Sequence, residues 1–126
     1  MMTPTPEQIE AAKELANMMK EKGIRWEWQD KDDYIYQDGN YSVSEGLLPL
    51  LPKEALIIPF PDFERCRLLL EDWGYDCFEI ACHWGREKSW LFRFRKSAPG
   101  LDWIETEAPD PTTCAIKAVA EAVRRK

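Results

Sequence analysis

Histidine occurs once in the 126 residues, as His83, and the four cysteines, Cys66, Cys77, Cys82 and Cys114, form no CxxC pair. Zinc-ribbon spacing is therefore absent, as is the cysteine density of a disulfide-stapled secreted domain, and free, mostly buried thiols are expected. Cys82 and His83 are neighbours and point to opposite faces of a strand, so they cannot readily join Cys77 and Cys114 in one ligand sphere, and no metal site or cofactor is expected. Glycine is sparse. Its six copies stand singly at Gly23, Gly39, Gly46, Gly74, Gly85 and Gly100, which excludes a phosphate-cradling P-loop. No serine sits in a G-x-S-x-G elbow, and nothing marks an orienting partner for the lone histidine. No apolar run approaches the roughly 18 residues of a membrane helix, and the polar stretch Thr3 to Glu10 follows Met1 and Met2 where a secretory signal would turn apolar. A cytoplasmic protein without membrane association is the expectation. Positive charge is in deficit: 17 Lys and Arg face 23 Asp and Glu, a formal charge of -6, the wrong sign for neutralising a nucleic-acid duplex.

What the chain has is a globular composition, 44% hydrophobic and 32% charged, with six tryptophans. Its length fits one domain over residues 1–126. Charge is uneven along it. Arg25 to Glu45 carries Glu27, Asp30, Asp32, Asp33, Asp38 and Glu45 against two basic residues, whereas His83 to Lys96 carries Arg86, Lys88, Arg93, Arg95 and Lys96 against Glu87 alone. Opposite poles of this kind fit head-to-tail homo-oligomers or capture of a small anion, and equally two solvated loop regions.

Thr5, Pro6 and Gln8 form a capping box ahead of a helix over residues 6–22, whose buried stripe reads Ile9, Ala12, Ala16 and Met19 with Leu15 beside it. Ile24 to Gln29 alternates as a strand with Trp26 and Trp28 on one face, paired as a hairpin with Tyr34-Ile35-Tyr36, and Tyr41 to Ser44 can add a third strand. Four prolines make Gly46 to Pro61 a surface connection with a short apolar segment at Ala55 to Ile58. Asp62 caps a second helix, about 62–73, with Phe63, Cys66, Leu70 and Trp73 as its stripe. Tyr75 to His83, the strand holding Trp90, Phe92 and Phe94, and Leu101 to Glu107 follow as strands. Asp110 and Pro111 then open a third helix that buries Ile116, Val119, Ala120 and Val123. The order, αββ(β)αβββα, predicts an α+β fold with a single mainly antiparallel sheet of about five or six strands and helices packed against it.

The aromatic-basic interleaving gives the candidate site. Trp84, Arg86, Trp90, Arg93 and Arg95 could stack a base and grip a phosphate. The alternative is that Trp90, Phe92 and Phe94 fill the core while the arginines face water. Trp26 and Trp28 face the same choice. Weaker candidates are His83 as a base, and the pairs Asp32 with Asp33 and Glu105 with Glu107 as acid and base.

The segments FERCRLLLEDW (Phe63 to Trp73), Trp90-Leu91-Phe92-Arg93-Phe94 and TEAPDPTTCAIKAVAEAV (Thr106 to Val123) together resemble the phage ABA sandwich domain, a group of small phage and prophage proteins. The resemblance covers about the last 65 residues. It implies a sheet between helical layers and a phage-encoded protein working in the host cell, and it implies no catalytic residue. The expected function is thus a non-enzymatic accessory protein with an anti-defence role that sequesters a small anionic, nucleotide-like signal or binds a host component. The alternatives are a protein-binding module using the acidic stretch 25–45, and a minor hydrolase using His83 or the carboxylate pairs.

Overall fold

Capping fixes where the described helices start. The computed structural model describes residues 4–29, 31–37, 40–43, 57–84, 88–97 and 102–126. In α1 (Pro6–Glu21) the Thr5 hydroxyl accepts from the Gln8 amide at 3.2 Å while Gln8 Oε1 accepts from the Thr5 amide at 2.9 Å. Asp62 caps α2 (Phe63–Asp72) by accepting from the Arg65 amide at 2.8 Å, and Asp110 caps α3 (Pro111–Arg124) through the Thr113 amide and hydroxyl, at 2.8 and 2.6 Å. α1 and α2 end at Gly23 and Gly74, whose left-handed φ of +69° and +95° lets the next amide reach back to Met19 and Leu70.

Among the described residues six strands lie between the helices: β1 (Asp33–Tyr36), β2 (Tyr41–Val43), β3 (Ile57–Pro59), β4 (Cys77–Trp84), β5 (Lys88–Arg95) and β6 (Ile104–Ala108). The fold is α+β, but among the described residues these strands form two antiparallel sheets of three, ordered β2-β1-β3 and β4-β5-β6, rather than one sheet of five or six. Two local events explain the difference. First, β3 arises inside the proline-rich stretch expected to be a surface connection. Ile57 and Ile58 are buried there, and Pro59, opposite Tyr34, has no amide with which to extend a ladder beyond the edge.

Second, residues 24–29 are not a strand. Their side chains do alternate, with Trp26 buried and Arg25 and Glu27 exposed, but the backbone groups are spent elsewhere. The Asp32 carboxylate accepts from the Trp26 indole at 3.2 Å and from the Gln29 amide at 2.9 Å, and the Asp32 amide returns a bond to the Gln29 carbonyl. Arg65 of α2 closes the node: its Nε lies 3.0 Å from Asp32 Oδ1, its Nη2 donates to the Glu27 carbonyl at 2.8 Å, and its guanidinium sits 4.8 Å from the Trp26 ring centroid. These bonds hold Lys31 at φ +68°, a left-handed conformation that costs a non-glycine residue about 1–2 kcal/mol.

The centre of the molecule is α3. Every residue from Thr113 to Val123 is buried except Lys117 and Glu121, because the helix packs on β5 and β6, on α1 and on α2. Alanines at 115, 118, 120 and 122 let these neighbours approach closely. Polar ties fix the contacts. The Cys114 thiol donates to the Trp90 carbonyl at 2.8 Å, the Thr106 hydroxyl donates to the Cys114 carbonyl at 2.8 Å, and Gln8 Nε2 donates to Asp110 Oδ1 at 3.1 Å. That last bond explains why the buried stripe of α1 is Gln8, Ala11, Ala12, Leu15 and Met19, turned slightly from the expected one. Buried residues from all three helices and both sheets form a contiguous core. Among the described residues no helix is long and apolar enough to cross a membrane.

Replacing Ala118 by Leu is expected to destabilise the fold by about 1–3 kcal/mol, since the added methylenes push α3 off its neighbours; a urea midpoint equal to the parent's would show slack in this contact. Asp32→Ala is expected to cost about 3–5 kcal/mol by leaving Arg65 charged and unpaired where side-chain exposure is 12%. Adding Arg65→Met should recover part of that loss, and a double variant no more stable than Asp32→Ala would contradict the pairing.

Candidate functional site

The period of two along β5 sorts the candidate residues onto opposite faces of the second sheet. Trp90, Phe92 and Phe94 turn toward the helices: Phe92 and Phe94 are fully buried and Trp90 is half-buried against the core. Arg93 and Arg95 turn the other way, so the structure does not unite Trp90 with the two arginines. The Trp90 ring instead has the Lys88 ammonium 5.5 Å from its centroid. Trp84 is placed by its backbone opposite Lys88 at the end of the β4–β5 hairpin, and its side chain, like the whole of Arg86, lies outside the described residues.

The outer face of this sheet carries its own arrangement. Register sets Glu79, Arg93 and Glu105 side by side on β4, β5 and β6. Arg93 Nη1 lies 3.2 Å from Glu79 Oε2 and its Nε lies 2.9 Å from Glu105 Oε1, so two half-exposed carboxylates offset this cation. Glu105 and Glu107 do share the outward face, but Glu105 is engaged by Arg93 rather than paired with Glu107. Trp103, just before β6, completes the group: the Arg93 and Arg95 guanidinium carbons lie 4.7 and 4.6 Å from its ring centroid. Arg95 differs from Arg93 in having no carboxylate partner among the described residues; the Nε of both arginines is shielded from water without a hydrogen bond there. Trp103 was missed as a site residue because it reads as one more strand aromatic. The signal was the register: with Glu105 opposite Arg93 in an antiparallel pair, two steps forward along β5 and two steps back from Glu105 bring Arg95 to Trp103.

The other candidates do not assemble. His83 is exposed on β4 directly opposite Ser89, and among the described residues no hydrogen bond orients the pair. Cys66 and Cys114 are buried, and burial pushes both thiols up, Cys114 to about 11, so each is an unreactive thiol at neutral pH. No three His, Cys, Asp or Glu residues gather as a metal site among the described residues. Of the acidic stretch's described carboxylates, Asp32 is 7% exposed and Asp33 faces Tyr41, while Glu27 is exposed. Asp30, Asp38 and Glu45 lie outside the described residues.

Burial raises the Asp33 carboxyl above its ordinary value, with Asp62 and Asp32 adding to the rise and the Tyr41 hydrogen bond opposing it. Burial, then the bond to Asp33, pushes the Tyr41 phenol up from 10.0 to about 12. A raised phenol favours the neutral folded form, so its contribution is complete below pH 10.0 and disappears as the pH climbs to about 12. Tyr41→Phe should flatten the stability loss across that window. Tyrosinate absorbance should show a late-ionising component in the parent that is lost in Tyr41→Phe, and identical late components in the two proteins would contradict the contact.

No protein-family model matches the chain, and comparison with curated proteins and with solved structures finds no similar protein.

Proposed function

We propose that this chain is a non-enzymatic phage accessory protein that captures a small anionic, nucleotide-like molecule on the outer face of its second sheet, with Arg95 as the anchor. One observation carries the reading. Arg95 is held over an indole, with no carboxylate beside it among the described residues and with Nε lacking an acceptor there. A guanidinium offers a planar fork of donors that matches phosphate or carboxylate, and contact with an aromatic face limits its swing, so less order is lost when an anion binds. Lys96 follows it, but its ammonium lies 5.2 Å from the Tyr75 ring, which packs on the inward Phe94, so it does not join Arg95 on the outer face.

Glu79 and Glu105 bracket Arg93, two residues from the anchor on the same face, and disfavour an extended polyanion while leaving room for a single small one, in keeping with the formal charge of -6. Trp103 already has two guanidinium groups over its ring, so charge rather than base stacking leads recognition. The phage setting rests on the resemblance of residues 63–73, 90–94 and 106–123 to the ABA sandwich pattern. Anti-defence sequestration of a nucleotide signal is the role that combines that setting with this site.

Thermal denaturation titrated with inorganic phosphate, mononucleotides and cyclic dinucleotides tests the reading. A ligand at a hundredfold excess over its Kd stabilises the fold by about 2.7 kcal/mol. Arg95→Ala should abolish that gain while changing the unliganded stability by no more than about 0.5 kcal/mol, and Glu105→Gln should tighten binding by freeing Arg93. A panel without any shift, or a shift that survives Arg95→Ala, would remove the proposal.

A further inference from the structure

The outer edge of β4 supports a second inference, independent of the ligand reading. β4 is eight residues long, Cys77–Trp84, and among the described residues it pairs only with β5. Natural edge strands are blunted by lysine, proline, a bulge or short length, because an open row of amides and carbonyls recruits another strand. β4 has none of these devices. Its sequence CFEIACHW holds no lysine, proline or glycine and a single carboxylate, Glu79, and it leaves Ile80 41% exposed, one of the two most exposed large hydrophobic residues described.

We infer that β4 pairs antiparallel with β4 of a second copy of this chain about a two-fold axis at Ala81, joining the two second sheets into one six-stranded sheet. An isologous contact must match itself, and this register does. Keeping the solvent face of one copy continuous with that of the other requires an axis centred on a residue, as only then do residues of the same face meet across the seam. Centred on Ala81, Ile80 faces the partner's Cys82 on the helix side, twice. On the solvent side Glu79 faces the partner's His83, also twice. Ala81, small and exposed, meets its own copy at the axis without crowding.

The flanking pair is complementary in charge and hydrogen bonding. Arg93 engages Glu79 through Oε2, which leaves Oε1 to accept from the partner's His83. His83 is exposed at a strand position with no competing bond among the described residues. An axis at Ile80 would instead set Glu79 against Ala81 and leave both the carboxylate and the imidazole without a partner across the seam. The ladder alone is a small interface, at the low end of specific association, so the dimer forms in the micromolar range and exchanges readily.

Sedimentation velocity over micromolar to submillimolar concentrations should show a monomer–dimer equilibrium. Ala81→Lys places like charges directly opposite one another and should weaken the dimer by roughly tenfold, with an unchanged circular dichroism spectrum and melting curve because position 81 is exposed. With Cys77 and Cys82 replaced by Ser, Ala81→Cys should give a disulfide-linked dimer under mild oxidation, since directly opposed Cα atoms lie about 4.5–5.5 Å apart. Glu79→Cys in that background should not, its two copies lying about 13 Å apart along the seam. A chain that stays monomeric throughout, a dimer indifferent to Ala81→Lys, or cross-linking at 79 in place of 81 would each overturn the inference.

Discussion

Because α3 is buried on nearly its whole circumference, it decides what every neighbouring element presents to it and, by exclusion, what those elements present to water. The helix can occupy this position only because its sequence is rich in alanine between Ile116, Val119 and Val123; large residues at the intervening positions would hold β5, β6 and α1 too far off to share one core. With α3 against the inner face of the second sheet, the aromatic residues of β5 must turn inward to cover it. The intervening arginines are left to the outer face, and there they must find partners from β4 and β6. The ionic row across that face is thus a consequence of how the opposite face is packed.

The same constraint explains which features were legible in the sequence. Thr5 with Gln8, Asp62, and Asp110 with Pro111 marked helix starts correctly, because capping is a local interaction between residues three or fewer apart. The alternation of β4 and β5 was equally clear, since it reports the local period of a strand. Register was not. Nothing in the stretch around Trp103 shows that it will lie over Arg95; that depends on how β6 slides along β5, and the slide is set by Thr106 and Ala108 meeting α3. Residues 24–29 show the converse failure. Their alternation was real as a burial pattern, yet the ladder bonds of a strand were replaced by bonds to Asp32, whose role requires Arg65 from a helix more than thirty residues away.

The candidate site was half legible for the same reason. Arg93 and Arg95 do turn outward, as the alternation of the strand placed them, but uniting them with Trp90 ignored that residues of odd and even number on one strand point apart. The aromatic partner came from the next strand. Equal chemistry at two neighbouring positions then diverges through pairing: Arg93 lies opposite a carboxylate on either side, whereas Arg95 lies opposite Cys77 and next to Trp103. Two arginines two residues apart thereby have different surroundings, one joining three strands through carboxylates and the other lying over an indole.

Charge counted along the chain overstated both poles. The acidic stretch from Arg25 to Glu45 carries a large formal excess, but Asp32 is neutralised by Arg65 from α2, and Asp33 is drawn toward Tyr41, where burial favours its protonated form. The basic stretch loses Arg93 to Glu79 and Glu105 in the same way. Cross-element pairing of this kind shortens the reach of each pole, because a compensated charge contributes a dipole whose field falls off faster than that of an isolated ion. A partner approaching from solution meets the uncompensated groups first. Among the described residues that sequence reasoning placed in the site, Arg95 is the arginine without a carboxylate partner, because register sets Arg93 and not Arg95 between Glu79 and Glu105.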